Sequence, residues 1–139
     1  MHSPTKPRCL VSACLIGLCT RYDGQSKGNP DCLRLLVDYD WSPVCPEQLG
    51  GLPTPRPAAS IIGGDGHAVL AQEARVIDRN GEDCTLRFIR GANMVLEIAQ
   101  MQQVSCCILK AGSPSCGLEP LTGVTAALLL GHGIKVLSL

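Results

Sequence analysis

Four short, mostly apolar runs constrain this chain more than any other feature. They lie at residues 9–13 (CLVSA), 41–45 (WSPVC), 104–109 (VSCCIL) and 134–139 (IKVLSL). Runs this short suit strands of a parallel sheet, buried on both faces. Helical patterns separate them. Pro30 and Asp31 can open a helix with Leu33, Leu36 and Val37 on one face. A longer helix is expected over residues 86–103. There Phe88, Ile89, Ala92, Val95, Leu96 and Ala99 recur at the helical period, and residues 83–85 can cap the start. A last helix over 124–130 has Gly131 or Gly133 as its C-cap. Strands alternating with helices predict an α/β fold: one domain over residues 1–139, with a mostly parallel sheet and helices on both faces.

The stretches between are equally informative. Residues 17–29 hold Gly17, Gly24 and Gly28 among polar residues and read as a loop carrying Arg21, Tyr22 and Asp23. Residues 46–57 contain four prolines and two glycines, which exclude a regular helix or central strand and predict a stiff wall. Gly63-Gly64-Asp65-Gly66 reads as a turn, residues 67–76 as one strand of a hairpin, and Asn80-Gly81 as a hairpin turn. A short hairpin insertion is therefore expected near residues 67–84.

Charge and hydropathy exclude some functions. Twelve basic and twelve acidic residues cancel, so there is no global field to attract nucleic acid, although a local basic patch would survive. No apolar stretch reaches the roughly 18 residues of a membrane span. The run at residues 9–19 is too short and too soon followed by Arg21 and Asp23 to be a signal peptide. A cytoplasmic protein is expected, and nothing in the sequence sets its oligomeric state.

Nine cysteines are the compositional anomaly. In a reducing compartment such thiols bind metal, react or pack as small hydrophobes. Cys9, Cys32 and Cys84 lie in or beside predicted elements and read as packing. Cys106 and Cys107 are adjacent in a strand, face opposite sides and also read as packing. Cys14, Cys45 and Cys116 differ. Each lies at the carboxyl end of a predicted strand or in the loop after it, where α/β sheets form their ligand crevice. Each is closely followed by Gly17, Pro46 or Gly117, in loops able to turn N–H groups toward a bound anion or cluster. Iron–sulfur clusters take thiolate ligands, usually four. Three would leave one iron open, and Cys19 is a candidate fourth.

Polar companions surround that address. Glu47, two residues after Cys45, is a candidate general acid or base, or else an exposed loop carboxylate. Ser113 and Ser115 flank Pro114 and can orient a ligand or cap a helix. Ser12 can point into the same crevice. Arg21 and Asp23 can pair with each other or contact a polar ligand. Arg56 can bind an anion or carbonyl, or lie on the surface. His2, His67 and His132 show no ligand spacing and read as structural or solvated.

Several segments together resemble a known family. They are Leu10-Val11-Ser12-Ala13-Cys14-Leu15, Cys19-Thr20-Arg21-Tyr22-Asp23-Gly24, Pro43-Val44-Cys45-Pro46-Glu47, the LGGLPTPRP run from Leu49 to Pro57, Ser113-Pro114-Ser115-Cys116-Gly117 and Gly123-Val124-Thr125-Ala126-Ala127-Leu128. In order and spacing they resemble the bacterial family once filed as domain of unknown function 523, which includes the thiouracil desulfidases. The resemblance spans nearly the whole chain. It implies a desulfidase-like domain with a [4Fe–4S] cluster on Cys14, Cys45 and Cys116, and a small thiolated base as substrate. It further implies that the open iron of the cluster takes sulfur from a thiocarbonyl without net electron transfer, with Glu47 as proton shuttle and Ser113 holding substrate. Ser12, Arg21, Asp23, Arg56 and Ser115 would complete substrate binding. The alternative is a non-catalytic iron–sulfur or zinc module for sulfur handling or redox sensing.

Two departures stand out. The family pattern carries a longer Gly/Tyr/Asp/Phe-rich loop between the SPSCG and GVTAAL segments, where this chain has only Leu118-Glu119-Pro120-Leu121-Thr122 before Gly123. A loop there can serve as a lid. Ser60 also stands where the family often has an acidic residue.

Overall fold

The computed structural model describes residues 5–26 and 28–139; the reading of His2 falls outside them. Strand β1, Arg8–Ser12, is buried from its second residue onward, as its apolar run requires. It lies between two parallel neighbours. On one side β2, Asp40–Val44, pairs with Arg8 opposite Asp40 and Ser12 opposite Val44. On the other, β5, Cys106–Leu109, pairs with Cys9 opposite Cys106. Strand β6, Lys135–Ser138, extends the sheet beyond β5, giving the order β2-β1-β5-β6. Pro43 is accommodated because β2 is an edge strand, where one row of N–H groups has no ladder partner to lose.

Helices cover both faces. On one, Leu10, Cys107 and Leu109 pack against Val95, Leu96 and Ala99 of α4, Thr85–Gln102, and against Ala126 and Leu129 of α5, Val124–Gly131. On the other, Cys9, Val11, Cys106 and Ile108 pack against Cys32 and Leu36 of α1, Pro30–Leu36. The period-two alternation thus sends Cys106 and Cys107 into different cores, as adjacent strand residues must. Cys9, Cys32, Cys84, Cys106 and Cys107 are buried free thiols, matching their reading as packing residues.

Three local expectations need correction. First, α1 starts where expected, with the Asn29 side chain accepting from the Cys32 N–H at 3.1 Å and Pro30 at the first helical position. Its buried stripe, however, is Cys32 and Leu36, while Leu33 and Val37 are exposed. The i,i+4 pair was hidden because one of its members is a cysteine acting as a small hydrophobe. Second, the hairpin pairs β3, Ala59–Ile62, with β4, Arg75–Asp78, and residues 66–70 form a short helix, α3, Gly66–Leu70, instead of a strand. Asp65 decides this: its carboxylate accepts from the Ala68 N–H at 3.1 Å, an N-cap that overrides the local alternation. Asn80-Gly81 does turn the chain after β4, with Asp78 accepting from the Asn80 and Glu82 N–H groups. Third, the proline-rich segment opens with a single helical turn, α2, Pro46–Leu49. Pro46 sits at the first helical position, where its missing N–H has no intrahelical partner to lose.

Helix α2 presses unusually close to α4. A Cβ added at Gly91 would overlap the Pro46 carbonyl oxygen, and one added at Gly50 would overlap the Arg87 carbonyl. Only glycine permits this backbone-to-backbone approach. It fixes the position of the turn that follows Cys45. Among the described residues, no helix is long and apolar enough to cross a membrane.

Candidate functional site

After β2 the chain crosses to the other side of β1 to form β5, so the strand order reverses between β1 and β5. Two connections leave in opposite directions there and open a crevice at the carboxyl ends of the strands. A pocket of about 220 Å³ occupies that position, and Cys14, Cys45 and Cys116 all line it. Cys14 lies in the 3-10 turn Ala13–Ile16 directly after β1. Cys45 directly follows β2. Cys116 comes from the loop after β5.

Each thiol is held by its own loop. The Cys14 carbonyl accepts from the Ser26 hydroxyl, and the Asn29 N–H donates to the Leu15 carbonyl at 2.8 Å, folding the 17–29 loop back on the turn. Cys45 Sγ lies 3.8 Å from the Thr20 carbonyl. Ser113 Oγ accepts from the N–H groups of Ser115 and Cys116, both at 3.1 Å. This hydroxyl turn aims Cys116 inward and leaves the Ser113 proton free to donate. The same loop seats on the start of α5. Val124 N–H donates to the Pro114 carbonyl at 2.8 Å, and the Thr125 and Ala126 N–H groups donate to the Ser115 carbonyl. The helix therefore satisfies its first donors with the site loop in place of a side-chain cap.

Burial pushes the Cys116 thiol up to about 12, opposed by a hydrogen bond with Ser12 and reinforced by Glu47, Cys14 and Cys45. Burial also raises Cys14, against the fields of Lys110 and Arg21. Such thiols resist ionisation unless a metal cation enters among them, and metal coordination deprotonates thiols outright. Among the described residues, no three His, Cys, Asp or Glu side chains are close enough to hold one metal ion. Three thiols brought by separate loops to one pocket are the donor type that an iron–sulfur cluster takes. Cys19 is exposed and is not among the residues lining the pocket.

Glu47 is not an exposed loop carboxylate. It lines the pocket from the first turn of α2, with its side chain 16% exposed. Arg56 holds it. That guanidinium is 3% exposed and donates through Nε to Glu47 Oε1 at 3.2 Å, through Nη1 to the Pro53 carbonyl and Thr54 Oγ1, and through Nη2 to the Thr20 carbonyl at 2.9 Å. Arg56 lines the pocket too, but its donors are engaged by protein, which makes it a clamp on Glu47 and on two loops.

The remaining candidates divide. Ser12, Arg21 and Ser113 line the pocket, whereas Asp23 and Ser115 are not among its lining residues. Ser12 Oγ accepts from the Lys110 N–H at 2.9 Å and so ties the ends of β1 and β5 together. Asp23 pairs loosely with Arg21 at 3.9 Å and accepts from the Gln25 N–H, a loop-shaping role. The Ser115 hydroxyl is buried without a hydrogen-bond partner. Ser60 is exposed on β3 and is likewise absent from the pocket lining. The shortened segment after Gly117 closes tightly, with the Gly123 N–H donating to the Gly117 carbonyl at 2.7 Å. Thr20 and Tyr22, named in the sequence only as members of the 17–29 loop and its motif, line the pocket too, and so does Lys110, which sequence reasoning missed. Lys110 was findable, since it directly follows β5 and so shares the strand-end address of the cysteines.

Comparisons with known proteins fit this geometry. A family model described as 2-thiouracil desulfurase matches residues 9–138. The protein YbbK of Bacillus subtilis (strain 168), itself uncharacterized, is 39% identical over 141 residues, covering 93% of each chain. A solved structure of the [4Fe-4S]-dependent thiouracil desulfidase TudS (DUF523Vcz) is 40% identical, with a TM-score of 0.75 over 96% of this chain and 91% of that one.

Proposed function

The chain belongs to the 2-thiouracil desulfurase family, and on that premise we propose that it is a [4Fe–4S]-dependent desulfidase acting on a thiolated base of the thiouracil type. The reading takes residues 1–139 as one desulfidase-like domain and Cys14, Cys45 and Cys116 as the cluster ligands. The observation that carries it is the convergence of three free thiols, from the ends of three adjacent parallel strands, in one pocket with Glu47. The donor set fits the group, because thiolates are the usual protein ligands of such clusters. Three ligands in place of four would leave one coordination position for substrate.

The reaction balances as hydrolysis. The thiocarbonyl carbon gains oxygen from water and loses its sulfur as hydrogen sulfide, so uracil forms from 2-thiouracil with no net electron transfer. When bound, the cluster supplies a Lewis-acidic iron for the thiocarbonyl sulfur. Glu47 takes the proton from attacking water and can return one to the departing sulfur or the ring. Arg56 fixes that carboxylate in direction, since charge-assisted hydrogen bonds are the strong ones. Ser113, whose oxygen already accepts from the Ser115 and Cys116 N–H groups, donates its own proton to a polar atom of the base. Val44, Ala58, Ala59 and Pro114 give the pocket apolar walls against which a base can pack.

The test is anaerobic reconstitution with iron and sulfide, followed by incubation with 2-thiouracil and 4-thiouracil. Sulfide release with appearance of the oxygenated base is expected. Protein that carries four irons per chain yet releases sulfide from neither compound overturns the reading.

A further inference from the structure

The charges lining the pocket are unequally matched. Arg56 is committed to Glu47, and Arg21 has Asp23 at 3.9 Å. Lys110 has no carboxylate within ion-pair distance among the described residues. Its ammonium contacts the Ala111 carbonyl alone, at 3.1 Å, while its backbone N–H is anchored on Ser12. The side chain is half-buried, and it lines the same pocket as Cys14, Cys45, Cys116 and Glu47.

We propose that Lys110 is the anion-holding residue of this pocket, and that the anion it takes is hydrosulfide, the sulfur released from the substrate. The inference rests on the desulfidase reading. Hydrolytic desulfuration turns a neutral thiocarbonyl into a weak acid that is substantially ionised near neutral pH. The new anion arises in a pocket lined by the Glu47 carboxylate, and like charges repel. A cation with no carboxylate partner is needed there, and the two arginines already have theirs. A lysine ammonium suits the task because it is a compact point charge on a flexible stem, able to follow a small ion from the site of release toward the mouth.

The test titrates sodium sulfide into cluster-loaded wild type, Lys110→Met and Lys110→Arg under anaerobic conditions. It follows the visible absorption of the cluster and, separately, inhibition of 2-thiouracil turnover. Lys110→Met should weaken sulfide binding about tenfold or more, the scale of a lost hydrogen bond to a charged group, with a smaller change in the half-saturating thiouracil concentration. Lys110→Arg should restore most of the sulfide affinity. The ammonium touches only a neighbouring carbonyl, so both variants should fold, and matched iron content with matched circular dichroism checks this. Equal sulfide affinity in all three proteins overturns the inference while leaving the desulfidase reading intact. So does a loss of thiouracil affinity as large as the loss of sulfide affinity. Wild type that holds its cluster but neither turns over thiouracil nor responds to sulfide overturns both.

Discussion

Arg56 reaches Glu47 with Nε at 3.2 Å while its two terminal nitrogens hold the Pro53 carbonyl, Thr54 Oγ1 and the Thr20 carbonyl. One buried guanidinium therefore joins the proposed proton shuttle to the proline-rich wall and to the loop above Cys45. Arg56→Met should leave Glu47 unpaired and cost about 3 kcal/mol in urea unfolding, toward the low end for a broken buried pair because Glu47 keeps some solvent contact. Arg56→Lys should recover part of the stability but little of the turnover, since a lysine cannot reproduce the fork of donors. Adding Glu47→Gln to Arg56→Met should return stability. A double variant as unstable as the sum of the two singles would show that the pair is not coupled.

The close approach of α2 to α4 gives a second outcome. Gly91→Ala would gain about 1 kcal/mol of helix propensity at an exposed site, but here the new Cβ meets the Pro46 carbonyl oxygen. The variant should be destabilised by about 1–3 kcal/mol, as overpacked sites are, and turnover should fall because α2 carries Glu47. Gly131→Ala is the control. Nothing lies within 4 Å of its added Cβ, so its melting temperature should hold or rise. Thermal unfolding of both variants, with iron content and turnover, decides the matter.

These two sites show what was legible in the sequence. The parallel sheet, the long helix and the strand-end address of Cys14, Cys45 and Cys116 could be read from short apolar runs and period, because those patterns report burial directly. The Arg56 clamp could not. It depends on which of an arginine's five donors meet which carbonyls, and those carbonyls come from residues 20 and 53, on two different loops. The burial of Cys32 with Leu36, and the helix begun by Asp65, were missed for a related reason: a cysteine and an aspartate each outweighed a hydrophobic pattern that pointed elsewhere. Asp23 and Ser115 carried motif positions, yet neither lines the pocket: Asp23 accepts from the Gln25 N–H of its own loop, and the Ser115 hydroxyl is buried without a hydrogen-bond partner.

Stability should fall in alkaline solution through the core thiols. Burial, with neighbouring thiols adding to it, holds Cys9 and Cys107 protonated up to about 12, against 9.0 for an ordinary thiol. As pH rises past 9 the unfolded chain loses these protons first, so the folded state binds more of them and stability drops. Each thiol contributes a slope of about 1.4 kcal/mol per pH unit until its folded value is reached. Urea unfolding between pH 8 and about 11 should show the decline, and Cys107→Ala should make it shallower. A pH-independent midpoint in wild type would contradict the burial argument.

Ser113 serves the Cys116 turn and, as proposed, the substrate. Ser113→Ala removes the acceptor for two N–H groups and should cost about 1 kcal/mol, the typical value of a lost hydroxyl cap. Ser113→Thr keeps the hydroxyl and should preserve the turn. If Ser113 also contacts substrate, the alanine variant will load iron normally at low temperature yet show a reduced turnover number. Loss of iron alone, with normal turnover per cluster, would restrict the residue to shaping the loop.

The cluster assignment rests on which thiols the iron needs. Cys14→Ser, Cys45→Ser and Cys116→Ser should each lower iron per chain and bleach the visible absorption after anaerobic reconstitution. Hydroxyls are poor substitutes for thiolates at such sites. Cys19→Ser should retain iron and colour, because Cys19 is exposed and is not among the pocket-lining residues. Cys84→Ser should also retain them, since that thiol lies in the separate core with Val69, Val76 and Phe88. Chelating the iron from wild type should abolish desulfidation, and returning iron and sulfide should restore it. If Cys19→Ser alone lost the cluster, the open coordination position would vanish and a closed four-thiolate site would replace it.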